Sequence, residues 1–98
     1  MCKSAIFNSV LVFVSQETEV TADELQGHSR CKEVVDARYL LVYFLRSKGF
    51  IPAEIARRLH LTPQAVSGIL CKFPERRQRG DRLFEINYQR LCKQLETH

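Results

Sequence analysis

The sequence predicts an all-α fold of about five helices, and three observations predict it. Apolar residues recur at helical spacing in four separate stretches of the chain. Helix start and stop signals, Thr21, Thr62 and Asp81 at starts and Gly27 and Gly49 at ends, punctuate the chain. Over 98 residues, 45% hydrophobic and 27% charged, there is material for one buried core and not for two, so residues 1–98 read as a single domain.

The first helix is expected from about 4 to 17, where Ile6, Val10, Phe13 and Val14 make an i, i+4, i+7, i+8 stripe. Asn8 and Ser9 interrupt this apolar stretch and no small-residue cleavage site follows, which argues against a secretory signal. Next, Thr21 and Glu24 stand three apart, the spacing at which a hydroxyl and a carboxylate cap each other's backbone amides. A short helix near 22–26, stopped by Gly27, follows from that pair.

From Lys32 to Lys48 the positions Val34, Ala37, Leu41, Phe44 and Leu45 keep helical spacing, and Tyr39 to Leu45 is apolar nearly all round. A helix covered on most sides belongs at the centre of the core. Gly49 ends it, because glycine enters the left-handed cap conformation without steric cost. Pro52 then opens one short helix and Thr62-Pro63 opens another, each proline sitting where a helix has an amide to spare. After Phe73 the run P-E-R-R-Q-R-G-D reads as a basic loop over 74–80, with Pro74 and Gly80 as breakers. Asp81 is placed to cap a last helix with the stripe Phe84, Tyr88, Leu91 and Leu95.

The stretch from 52 to 72 has the pattern of a helix-turn-helix. Ala56 supplies the small residue at the crossing, and Ile55, Leu59, Leu61, Val66 and Ile69 fall where such a motif is buried. His60 stands where a turn glycine is usual, and histidine is among the residues enriched in left-handed backbone. With Val66, Ile69 and Leu70 inward, the outer face carries Gln64, Ser67, Gly68 and Cys71, with Thr62 at the helix start. That face suits the major groove of DNA. Gln64 can pair with adenine N6 and N7, Ser67 can meet base edges, and Gly68 permits close approach.

Charge supports the same partner. Fifteen Lys and Arg against eleven Asp and Glu give +4, unevenly spread. Residues 1–27 hold one base and four acids, whereas residues 57–82 hold seven bases and two acids. Arg57, Arg58, Lys72, Arg76, Arg77 and Arg79 are therefore candidate phosphate contacts, with Arg30, Lys32 and Arg38 as a second cluster at the start of the central helix. An outer polar face and a charge run also occur on helical proteins that touch no nucleic acid. The alternative is a protein-interaction module whose basic surface meets an acidic partner.

Other chemistries find little support. Cys2, Cys31, Cys71 and Cys92 lie far apart with no C-x-x-C pair, which points to free thiols in a reducing, cytoplasmic compartment and to no metal site. The three histidines define no catalytic pair, and no phosphate-loop or dinucleotide motif is present, so neither an enzyme nor a cofactor is expected. No run approaches the roughly 20 apolar residues of a membrane span.

The run S-R-C-K-E-V-V-D-A-R-Y-L-L-V-Y-F-L-R from Ser29 to Arg46, followed by I-P-A-E-I-A-R-R-L from Ile51 to Leu59, resembles the C-terminal duplex-binding domain of the bacterial replication initiator DnaA. That family belongs to the Trp-repressor-like helical folds, and similar domains occur on phage and mobile-element proteins. The resemblance covers about residues 21–72. It implies sequence-specific binding of double-stranded DNA, with backbone or minor-groove contacts from Arg30, Lys32 and Arg38. The recognition helix departs from the pattern: where the initiator carries Arg-Asp-His-Thr, this chain reads Leu61-Thr62-Pro63-Gln64-Ala65-Val66. The initiator's target sequence is therefore not implied. A module this small would bury roughly 600–1,000 Å² on DNA, so a homodimer or a larger replication, transcription or transposition assembly is the expected working form.

Overall fold

The computed structural model describes residues 3–27, 31–80 and 82–96. Among them the chain is all-α, with six helices and no strand: α1 (Lys3–Thr18), α2 (Ala22–Gln26), α3 (Lys32–Ser47), α4 (Pro52–Leu59), α5 (Pro63–Arg79) and α6 (Arg82–Glu96). Arg30 and Asp81, expected as a phosphate contact and a helix cap, lie outside the described residues.

Each boundary has a local cause. The Ser15 hydroxyl donates to the Val20 carbonyl at 2.6 Å across the end of α1, where Glu19 turns the chain with φ 59°. The expected pair at the start of α2 forms: Glu24 N–H donates to the Thr21 hydroxyl at 3.1 Å, and Thr21 N–H donates to the Glu24 carboxylate at 3.3 Å. At the end of α3, Gly49 has φ 97°, and the amides of Gly49 and Phe50 fold back onto the carbonyls of Arg46 and Leu45. This is the glycine-ended pair of hydrogen bonds that closes many helices, and it turns the Phe50 ring into the core, where it is fully buried. His60 takes the left-handed turn between α4 and α5 (φ 59°, ψ 38°), and Thr62 caps α5 by accepting from Ala65 N–H at 3.1 Å.

The core is one continuous cluster around α3, which buries Val34, Ala37, Leu40, Leu41, Val42, Phe44 and Leu45. Helices α1, α2, α4 and α5 all pack on it, and α6 packs along α1 and sets Tyr88 against Phe44 of α3 and Phe84 against Phe73 of α5. On α1 the buried stripe is Phe7, Val10, Leu11 and Val14, while Ile6 and Phe13 are only partly covered. The stripe is thus turned by about one residue from the expected one, because Phe7 meets Phe50 at 6.4 Å between ring centroids.

One expectation is overturned. Residues 74–79 are not a basic loop but the last turns of α5, which runs through Pro74. The proline withholds one backbone bond from the Leu70 carbonyl, yet its fixed φ is helical. Tertiary contacts hold the turns on either side of it. Phe73 is buried 4.3 Å from Tyr43, Arg76 bonds Asp36, and Arg77 bonds Glu85. Gly80 does end the helix, as a close approach and not as a left-handed residue: its N–H meets the Arg76 carbonyl at 2.6 Å with φ −68°.

Candidate nucleic-acid interface

Pro63 at the first turn and Thr62 at the cap fix where α5 begins, and the burial of Val66 and Phe73 fixes which side faces the core. Gln64, Ser67 and Cys71 are exposed along the opposite side, and their polar atoms make no side-chain hydrogen bond to any described residue. Gly68 lies among them with open space where a side chain would be. Thr62 is exposed but spends its acceptor on the helix cap. Ile55, Ala56, Leu59 and Val66 are buried between α4 and α5 as the spacing predicts, while Leu61 and Ile69 are partly covered.

The described candidate cations divide into five situations. Arg57 is exposed on the outer side of α4. Arg58 is half-buried, its guanidinium 5.1 Å from the Phe7 ring and 5.8 Å from Phe50, so it covers the aromatic contact between α1 and the α3–α4 turn. Arg77 bonds Glu85 through Nε at 2.7 Å and Nη2 at 3.1 Å, and lies 4.1 Å from the Tyr88 ring. The hydrogen bond between Tyr88 and Tyr43 hydroxyls (3.4 Å), together with burial, raises the Tyr88 phenol well above its ordinary range.

The fourth situation is a groove of about 620 Å³ between α3 and α5. Lys32, Asp36 and Tyr39 line it from α3, and Lys72, Glu75, Arg76 and Arg79 from α5. Arg76 is fixed there: Nε and Nη2 both reach one Asp36 oxygen, and the guanidinium stacks 4.5 Å from the Tyr39 ring. Arg79 pairs more loosely with Glu75 at 3.3 Å, both well exposed. Asp36 and Tyr39 were not among the expected contacts, Tyr39 falling in the apolar run read as core. The i, i+4, i+7 spacing of Lys32, Asp36 and Tyr39 was the available signal, since it puts all three on one side of α3.

Arg38 is corrected outright as a phosphate contact. It is 9% exposed and donates to the carbonyls of Leu25 (3.2 Å), Glu24 (3.2 Å) and Gly27 (2.8 Å). Its guanidinium caps the C-terminal end of α2, where unpaired carbonyls favour a cation. Burial disfavours its charge and lowers its pKa, and the three carbonyls offset that cost.

Among the described residues Cys31, Cys71 and Cys92 form no disulfide, and no helix is long and apolar enough to cross a membrane. No protein-family model and no curated protein matches the chain.

Proposed function

We propose that this chain is a sequence-specific, double-stranded DNA-binding domain, a binding module rather than an enzyme, in which α4 and α5 act as a helix-turn-helix. The observation that carries the reading is the outer strip of α5. Gln64, Ser67 and Cys71 stand exposed beside the open Gly68, uncharged and with no side-chain hydrogen bonds to the described residues, while Arg57, Lys72 and Arg79 present exposed cations nearby. Small polar groups flanked by cations suit base edges between two phosphate rows. The likeness of residues 21–72 to the initiator's duplex-binding domain supports the same docking, and with it a bacterial, phage or mobile-element protein working in the cytoplasm as a homodimer or within a larger assembly.

The test is a titration of a labelled mixed-sequence duplex at several salt concentrations, followed by anisotropy. The expected slope of log affinity against log salt is about −0.9 for each phosphate neutralised, and selection from random duplexes then yields one preferred site. An absence of binding at low salt overturns the reading.

A further inference from the structure

We infer that a second groove, where the end of α3, the middle of α5 and the middle of α6 meet, is a binding site for a small aromatic carboxylate, with Arg46 as its anion contact. The groove holds about 360 Å³, within the lower range of ligand sites, and its floor is made of three rings from three helices. Tyr43 of α3 lies 4.3 Å from Phe73 of α5 and 5.6 Å from Tyr88 of α6 between ring centroids, and Phe73 and Tyr88 are 5.9 Å apart. Rings that hold one another in tilted contact are set before a ligand arrives, so binding orders little, and they suit the face or edge of a further ring. Leu70 and Pro74 add apolar walls.

The charged side of the groove has one sign. Arg46 and Arg77 line it, and no carboxylate does. Arg77 spends Nε and Nη2 on Glu85, at 2.7 and 3.1 Å, and lies against the Tyr88 ring, so it stiffens the wall more than it attracts. Arg46 is exposed in the last turn of α3 and makes no side-chain hydrogen bond or ion pair to a described residue. Its planar fork is left for the two oxygens of one carboxylate. With Glu85 outside the groove and engaged by Arg77, nothing in the lining meets an ammonium group, so the ligand is an acid without an amine. A phosphodiester chain would leave the ring floor uncovered. Leu70, Phe73 and Arg77 occupy the side of α5 turned toward α3 and α6, and Pro74 is the lining residue that borders the strip of Gln64, Ser67 and Cys71. The site stands whether or not that strip meets DNA.

The isotope-labelled full chain is titrated at constant pH and ionic strength with phenylacetate, into the millimolar range where ligands of this size bind. Acetate supplies the charge without the ring, benzyl alcohol the ring without the charge, and phenylalanine both with an added ammonium. Saturable shifts at the Tyr43 and Tyr88 rings and at Arg46 Nε are expected with phenylacetate, and binding about tenfold weaker for each of the other three. Arg46→Gln should weaken phenylacetate about tenfold and leave benzyl alcohol unchanged. Arg46 is exposed, and the same spectrum verifies that the variant is folded. Silence of Tyr43 and Tyr88 with phenylacetate overturns the proposal, as does unchanged affinity in Arg46→Gln. Equal binding of acetate or benzyl alcohol overturns it too, by reducing the site to a charge or to an apolar patch, and equal binding of phenylalanine overturns the ligand class. A duplex titration of the same sample reads the amides of Gln64 and Ser67, and its outcome bears on the DNA reading alone.

Discussion

At Gly80 a methyl group would sit 2.5 Å from the carbonyl oxygen of Arg76, closer than any real contact of that kind. The requirement is steric, since φ −68° suits every residue. Gly80→Ala should therefore cost roughly 1–3 kcal/mol, read as a lower midpoint in urea at unchanged slope. Arg38 presents a sharper choice, because a phosphate contact and a buried cap respond differently to loss. Arg38→Leu takes the guanidinium from the carbonyls of Leu25, Glu24 and Gly27, of which Glu24's keeps the Gly27 amide, and should destabilise by about 1–3 kcal/mol, while the folded molecule keeps its affinity for duplex. A variant of native stability with weakened DNA binding would return Arg38 to the interface. Gln64→Ala should do the opposite: no change in stability, relaxed preference at one base position, and a loss of about 1–3 kcal/mol on the preferred site.

The elements show where local rules end. Helices α2, α3 and α4 were legible because their limits are written in adjacent residues: the Thr21 and Glu24 pair, Gly49 ahead of Phe50, and Thr62-Pro63 after the His60 turn. The second half of α5 was not, since Pro74 and three nearby arginines read locally as a loop. What keeps it helical is distant in sequence: Asp36 lies 40 residues from Arg76, and Glu85 lies across the next turn. The same distance hid the groove and the fate of Arg38, whose partners sit on another helix. The strip of Gln64, Ser67 and Cys71 was legible, because one helical period and the inward-facing Val66, Ile69 and Leu70 determine it. The helical course of α5 makes a direct prediction. Pro74→Ala restores a donor to the Leu70 carbonyl and should stabilise the protein by about 1–3 kcal/mol, raising its melting temperature. A true loop at 74–80 would gain nothing from that change.

Over the whole molecule, ion pairs tie ends that hydrophobic packing alone would leave loose. Lys3 on α1 reaches Glu54 on α4 at 2.6 Å, and Arg77 on α5 reaches Glu85 on α6. Both carboxyls are held below their ordinary pKa, Glu54 chiefly by the hydrogen bond from Lys3 and Glu85 chiefly by that from Arg77. A depressed carboxyl stabilises the fold above its unfolded pKa, and that contribution vanishes as pH falls through the folded value. Melting temperature should thus be level from neutrality to the ordinary carboxylate range and decline below it. Glu85→Gln should flatten that decline; an unchanged acid limb in both Glu85→Gln and Glu54→Gln would place its origin elsewhere.

The attachment of Arg38 to α2 has a consequence in time as well as in energy. A five-residue helix does not persist alone, and this one is held between its own cap and a side chain rooted in the most buried helix of the fold. Unwinding its last turn, where Leu25 N–H bonds the Thr21 carbonyl, also breaks the Arg38 bonds to the Leu25 and Gly27 carbonyls. In heavy water the smallest helix of the molecule would then exchange its protons on the slow clock of α3, and not on the fast one its length would set.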